Sequence, residues 1–419
     1  MSVPFGRQLP HLPHPGADVG AIDRLAASEV PAFTARRTRR EERSGAPQDP
    51  IVWARAKGAN VMDSRGNTYV DLSGGFAVSA VGHAHPDVIA AVQRQSERLL
   101  HALGDLHPSD AKIDLLERLC ELAPWPARAA LCQGGSEAVE IALKTATLAS
   151  GRGGVLAFEG GYHGLSYGAL AACGYSQAFR APFQDQLASV RFAAYGEDPG
   201  PLPPEVGAVI VEPIQGRGGV NVPPDDFLPT LRKRCDDAGA VLIVDEIFTG
   251  LGRCGLPFVS GELADVLCLG KALGGGLPVS ACVGRASIMA AWGTPDGEAI
   301  HTGTFYGHPL GCAAALASLD VLARERLAER ATRIGTHVQA RLRSIAPKAE
   351  VRGRGLMLGF VPQRGASVLP LVSRLLHAGF IVLPAGAKAD VLQLAPPLTI
   401  DEAQVDAFLN ALEAALEHP

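Results

Sequence analysis

From about residue 110 onward, short apolar runs alternate with longer segments of helical spacing. Val155–Phe158, Ala208–Val211, Ala240–Val244, Val266–Leu269 and Val279–Val283 are almost free of polar side chains. A run of four or five such residues without alternation has no face to offer solvent, so each is expected as a strand buried on both sides. Strands of that kind, separated by helices, form a largely parallel sheet with right-handed crossovers. The expected fold is α/β, and such sheets collect their functional side chains at the carboxyl ends of the strands.

Two of those ends carry chemistry. Val241-Leu-Ile-Val runs into Asp245, and 26 residues later Leu269-Gly-Lys271 opens onto Gly274-Gly-Gly276. A carboxylate at the end of an apolar strand is costly unless a cation meets it. A surface lysine is the plainer reading of Lys271 taken alone, but the apolar run before it and the glycines after it weigh against that. Together the pair suits a pyridoxal phosphate enzyme, in which a carboxylate keeps the pyridine nitrogen protonated and an amine carries the aldehyde as a Schiff base. That amine must be neutral to attack and must later move a proton between carbons. The glycines let the backbone approach a bulky cofactor.

A phosphate needs its own cradle. Gln133-Gly-Gly-Ser136-Glu137-Ala138 opens a helix whose apolar face includes Ala138, Ile141, Ala142 and Thr145. Its free backbone N–H groups, a hydroxyl and the positive helix end suit an anion. A plain serine N-cap explains the segment equally well. Gly161-Tyr162-His163-Gly164 follows a strand and supplies a ring that stacks on a flat cofactor or simply fills the core.

Composition narrows the class. The 419 residues are 47% hydrophobic and 19% charged, with a net charge of -5, which suits a buried globular enzyme and gives no electrostatic case for nucleic acid. Eight scattered cysteines without a C-x-x-C pair indicate neither a metal site nor a disulfide framework. No apolar stretch reaches the ~18 residues of a membrane span. Pro and His residues follow the first seven positions instead of a signal-like run, so a cytoplasmic location is expected. The basic run at 36–43 includes two glutamates and reads as a solvated helix face rather than a nucleic-acid site.

Four regions are expected. Residues 1–48 form a partly extended N-terminal arm, and 49–72 hold early strands, with a hairpin over 60–70 turning at 64–67. Residues 73–315 form the large cofactor-binding domain, and 316–419 a smaller α/β domain that the early strands join. After Pro309 one long helical segment is expected to about residue 346. Strands over 356–360, 380–383 and 391–394 come next. The last helix opens with a capping-box spacing at Thr399 and Glu402, and its apolar face is Val405, Phe408, Leu409, Leu412 and Leu416.

The order and spacing of these pieces resemble the class III aminotransferases, within the fold-type I pyridoxal phosphate enzymes. The resemblance runs from about Ile51 to the C-terminus. It rests on Asp71-Leu-Ser-Gly-Gly-Phe-Ala-Val78 with Gly82-His-Ala-His-Pro86, Gly135-Ser-Glu-Ala138, Tyr162-His-Gly164, Glu212-Pro-Ile-Gln-Gly216, Asp245 to Arg253, Gly270 to Pro278, Thr304 to Pro309 and Pro396-Pro-Leu398. It implies that Lys271 forms the Schiff base, that Asp245 pairs with the pyridine nitrogen, that Gly135 and Ser136 hold the phosphate and that Tyr162 stacks on the ring. Thr304 matches a threonine that reaches the neighbouring subunit's cofactor phosphate, which implies a homodimer with its sites at the interface. The implied partners are an amino donor and a keto or aldehyde acceptor.

The departures from the family pattern fall on the substrate side. Arg217 stands where many members have a glutamate, and Gln393 where many have an arginine just before the Pro-Pro pair. In the family those two residues pair, and the arginine is released to grip an α-carboxylate, so the usual gate is absent. Arg217 is either a bidentate clamp for a carboxylate or a surface residue in a glycine-rich turn. Phe248 replaces a common glutamine, Leu165 takes the place of a carboxylate-binding arginine, and Phe76 falls where a pocket side chain is expected. This more apolar pocket lowers the case for γ-aminobutyrate, ornithine or acetylornithine. It raises the case for an amine, a diamine or an amino group on a larger apolar body. The alternative to transamination is a racemase, decarboxylase or aminomutase on the same scaffold. A non-catalytic protein is disfavoured by the intact Lys271, Asp245 and Ser136.

Overall fold

The computed structural model describes residues 3–30, 50–293 and 299–417, so the basic run at 36–43, within the second part of the expected arm, lies outside the described residues. The first strands are β1 (Trp53–Lys57), β2 (Asn60–Asp63) and β3 (Thr68–Asp71). β2 and β3 pair antiparallel around the expected turn. Asp63 closes that turn, its Oδ1 accepting from the backbone N–H of Arg65 at 3.0 Å and of Asn67 at 2.8 Å.

The apolar runs form the centre of a seven-stranded sheet. Its strands are β4 (Ala127–Cys132), β5 (Gly154–Phe158), β6 (Val190–Ala193), β7 (Val206–Val211), β8 (Val241–Asp245), β9 (Val266–Leu269) and β10 (Ser280–Arg285). They lie in the order β4-β10-β9-β8-β7-β5-β6. Every residue of β7, β8 and β9 is buried, as two-sided cover demands. From β9 through β6 the strands are parallel, but β10 runs against both its neighbours, β4 and β9. Periodicity reports that Val279–Val283 is buried and carries no information on direction. The two edge strands, β4 and β6, escaped the apolar pattern because each carries an arginine, the usual mark of an edge.

Helix Gly135–Ser150 lies over β7 to β10, burying Ala138, Val139, Ile141, Ala142 and Ala146 against Ile210, Ile243, Cys268 and Cys282. Its N-terminus therefore points at the carboxyl ends of β8 and β9. Beyond Pro309 the chain forms two helices rather than one, Pro309–Arg324 and Leu327–Ile345. Arg326 breaks them with a left-handed φ of 50°, a conformation no hydrophobic period reveals.

The C-terminal strands are β11 (Glu350–Arg354), β12 (Met357–Val361), β13 (Phe380–Ile381), β14 (Leu383–Ala385) and β15 (Val391–Leu394). Four of them form an antiparallel sheet in the order β11-β12-β15-β14. β13 leaves it to pair in parallel with β3, matching Phe380 with Val70. The last helix, Glu402–Glu417, starts later than the spacing at Thr399 suggests. Asp401 and Gln404 form the reciprocal cap, with Ala403 N–H on Asp401 Oδ1 at 3.1 Å and Asp401 N–H on Gln404 Oε1 at 3.2 Å. The Thr399 hydroxyl instead donates to the carbonyl of Val81 at 3.4 Å.

No helix among the described residues is long and apolar enough to cross a membrane. Nor does any group of three His, Cys, Asp or Glu among them suit a metal ion.

Phe408 joins the last helix to the small layer, since its ring meets that of Phe380 edge-on at 5.7 Å and is 1% exposed. Phe408→Ala should therefore cost about 3–5 kcal/mol in a denaturant titration. A loss below about 1 kcal/mol would show that this helix does not carry the layer.

Candidate active site

A cavity of about 560 Å³ opens at the carboxyl ends of β5, β7, β8 and β9. Seven residues singled out from the sequence line it together: Gly135, Ser136, Tyr162, Leu165, Asp245, Phe248 and Lys271. Phe76, Arg217, Thr304 and Gln393 lie outside that lining set.

Lys271 follows β9 with a left-handed φ of 43°, unusual for a residue bearing a side chain and a mark of strain held for function. Its Nζ sits 4.5 Å from the centroid of the Phe248 ring. Burial pushes its pKa below the ordinary lysine value, against the opposing pull of Asp245 and Glu212. The site thus favours a neutral amine, the nucleophilic form. Phe248 is fixed from behind, because a Cβ on Gly216 would come within 2.2 Å of its ring.

Asp245 is 4% exposed. Its Oδ2 meets His163 Nδ1 at 2.8 Å, and its Oδ1 accepts from the N–H of Ile247 at 3.1 Å. Burial disfavours a charged imidazole, but the hydrogen bond and charge of Asp245 outweigh it and raise the pKa of His163. Glu212, at the end of β7, is buried beside them and its pKa is raised by that burial. Its Oε1 accepts from Tyr162 N–H at 2.8 Å and its Oε2 from Gly216 N–H at 3.0 Å. One carboxyl group therefore fixes both the aromatic wall and the turn that carries Arg217.

The helix entrance is prepared for an anion. Glu137 Oε2 takes the N–H groups of Gln133 and Gly134, both at 2.9 Å. The N–H groups of Gly135 and Ser136, in the first helical turn, have no intrahelical acceptor and face the cavity end. Close packing holds them there. A Cβ on Gly164 would fall 2.4 Å from Ser136 Cβ, and one on Gly135 2.9 Å from Ile247 Cδ1.

His163 and Glu212 had no role assigned from sequence, although both lie in recognised segments. The signal was available: each follows an apolar strand, as Asp245 does. Of the remaining candidates, Gln393 is buried and donates from Nε2 to the carbonyl of Gly216 at 3.0 Å. Arg217 lies against the rings of Tyr162, Tyr175 and Phe179 at 4.6, 5.1 and 5.4 Å. Thr304 is exposed. Phe76 is 60% exposed and lies in a left-handed turn, with φ of 58° at Gly75 and 61° at itself.

These residues fit a group with a phosphate for the helix entrance, a basic ring nitrogen for Asp245 and an aldehyde for Lys271. On this parallel sheet they define a pyridoxal phosphate enzyme of fold type I. The family model for class III aminotransferases matches residues 43–416, and the chain belongs to that family. It is a pyridoxal-phosphate-dependent aminotransferase, moving an amino group from a donor to a keto acid acceptor. The chain is similar to acetylornithine aminotransferase of Methanopyrus kandleri, 38% identical over 376 residues that cover 88% of this chain and 94% of the relative. It is 37% identical to 5-aminovalerate aminotransferase of Pseudomonas aeruginosa over 401 residues, 87% of this chain and 92% of that one. A pyridoxal-phosphate-bound amine transaminase from an uncultivated Pseudomonas species superposes with a TM-score of 0.81 at 30% identity, covering 88% of this chain and 95% of its own.

Gly164→Ala should weaken cofactor retention about tenfold or more by displacing Ser136, with little change in far-ultraviolet circular dichroism. Unchanged retention in a dialysis titration would mean that the helix entrance does not hold the phosphate.

Proposed function

We propose that Lys271 is the amine to which the cofactor aldehyde attaches and the base that moves the proton in amino transfer. The observation that carries this reading is the placement of Lys271 and Asp245 on the adjacent parallel ends of β9 and β8, with Lys271 desolvated toward its neutral form. When bound, pyridoxal phosphate supplies an electron sink that weakens the bonds at the carbon bearing the amino group. Asp245, held by His163 Nδ1 and Ile247 N–H, is the carboxyl group that would meet the ring nitrogen and favour its protonated form. Lys271 Nζ, whenever it is not attached to the cofactor, would take the proton from the donor carbon and hold it for return. Gly135 and Ser136 are assigned the phosphate, and Tyr162, fixed through its backbone by Glu212, the ring.

Within this reading, 73–315 is the cofactor-binding domain and 316–419 the small domain, with 49–72 attached through the β3–β13 pairing and 1–48 as an arm. The active form is a homodimer with its sites at the interface. Thr304 is exposed, and around it Leu100, Leu103, Leu106 and Phe305 are all more than half exposed, an apolar surface that a second copy would cover. Supporting contacts place these segments together, since His101 meets Phe305 at 5.3 Å. A cytoplasmic location is proposed on the eight free cysteines, which suit a reducing compartment. Leu165 and Phe248 give the donor site apolar walls, so the donor carries its amine on an apolar body. The named substrates of the two relatives, acetylornithine and 5-aminovalerate, also carry an amine on a hydrocarbon chain.

Borohydride reduction of the loaded enzyme, followed by peptide mass spectrometry, should place the pyridoxyl group on Lys271; a different lysine would reject the assignment. Lys271→Ala should lower amino transfer by roughly 10³-fold or more. Because the lysine pKa is depressed, capture of added cofactor by the apoenzyme should quicken with pH and level off below the ordinary lysine value of ~10.4. A rate still climbing through that value would contradict a desolvated amine. Sedimentation should give twice the chain mass, and Leu106→Glu should shift it toward the monomer.

A further inference from the structure

We propose that Arg217 is the fixed carboxylate receptor of the substrate site, so that the donor is an amino acid with amine and carboxylate on one apolar body. The inference rests on the aminotransferase reading and names its substrate class.

Arg217 is half-buried, yet no carboxylate among the described residues forms an ion pair with it. Three aromatic rings surround it instead, with its Cζ 4.6 Å from the centroid of Tyr162, 5.1 Å from Tyr175 and 5.4 Å from Phe179. Ring faces attract a cation and partly offset its desolvation. Besides its faces, a guanidinium has an edge where five N–H donors lie in one plane. That edge matches the two oxygens of a carboxylate. A lysine in the same cage would offer a point charge without the fork.

The cage is built to hold still. Tyr175 and Phe179 stack at 5.8 Å with 29° between their planes, and Tyr162 meets Tyr175 edge-on at 6.2 Å. Tyr175 Oη donates to the carbonyl of Gly386 at 3.3 Å, and Gly386 N–H donates to the carbonyl of Arg217 at 3.0 Å. On the other side, Gly216 is held at both ends of its peptide unit. Its N–H goes to Glu212 and its carbonyl to Gln393 Nε2. Gln393 thus acts as a positioning residue, tying down the turn where a mobile ion pair would need freedom.

The cage also touches the reaction site. Tyr162, in direct contact with Arg217, lines the cavity that contains Lys271 and Asp245. Glu212, the nearest carboxyl group along the turn, is already engaged by two backbone amides. Both of its oxygens are thus taken up by the backbone rather than by the guanidinium. A receptor that does not swing away serves donor and acceptor alike, so the keto acid product of one half-reaction and the acceptor of the other use the same anchor.

The test compares matched donors on the loaded enzyme: alanine, 4-aminobutanoate and 5-aminopentanoate against ethylamine, propylamine and butylamine. In the unmodified enzyme at least one amino acid should exceed its matching amine in kcat/KM by roughly 30-fold or more. Arg217→Met should remove that advantage by raising KM for the amino acid far more than for the matching amine. Arg217→Lys should restore only part of it, since the charge returns without the fork. Pentanoate, which has no amine, should compete with the amino acid in the unmodified enzyme and lose that competition in Arg217→Met. If no amino acid outperforms its amine, or if Arg217→Met lowers both classes equally, the inference is overturned. If Arg217→Met fails to fold, Arg217→Lys carries the same comparison, and an amino acid preference left intact there overturns the inference. If the cofactor is bound at Lys271 and no donor of either class reacts, the aminotransferase reading fails instead.

Discussion

A carboxylate at the end of a buried strand must find partners, and Asp245 organises the site around that requirement. His163 answers it from the end of β5 and the backbone of Ile247 answers it locally. Neither exhausts what a buried anion asks for. The cavity above it is where a protonated ring nitrogen would complete the set. Lys271 faces the opposite demand, since burial lowers its pKa against the pull of Asp245 and Glu212. One small volume therefore holds a carboxyl group bound by His163 and a backbone amide beside an amine that burial shifts toward neutrality.

The substrate side is organised by Glu212. By holding the backbones of Tyr162 and Gly216 at once, it links the aromatic wall of the cavity to the turn that ends in Arg217. Gln393 reinforces the same turn from β15, so the small antiparallel layer contributes to a site whose chemistry belongs to the large sheet. Phe248 completes the arrangement. Glycine at 216 lets the turn approach the Phe248 ring, which also meets Lys271 Nζ. A single methyl group there would clash with that ring.

Much of this was legible in the chain because burial leaves a strong trace. Wholly apolar runs identified β5, β7, β8 and β9, and the polar residues that stop such runs identified Asp245 and Lys271. Elements whose defining physics is not hydrophobic periodicity were hidden. The direction of β10, the left-handed break at Arg326 and the late start of the last helix depend on pairing and on single dihedrals. His163 and Glu212 were legible by the strand-end rule that found Asp245, yet their partners are distant in sequence. The cage around Arg217 was not legible, because Tyr162, Tyr175 and Phe179 meet it only once the turn after β7 folds back.

The pairing of β3 with β13 sets a schedule for the nascent chain. β1, β2 and β3 leave the ribosome early, but the strand that closes their sheet arrives only at Phe380. At about 5–20 residues per second, tens of seconds of synthesis separate them. His11 can already pair with Thr68 on that edge, but the N–H of Val70 waits for the carbonyl of Gly379, and until then this part of β3 is an open template for a passing strand. The edge is short, only Thr68–Asp71, and its brevity is the protection available until its own partner is made.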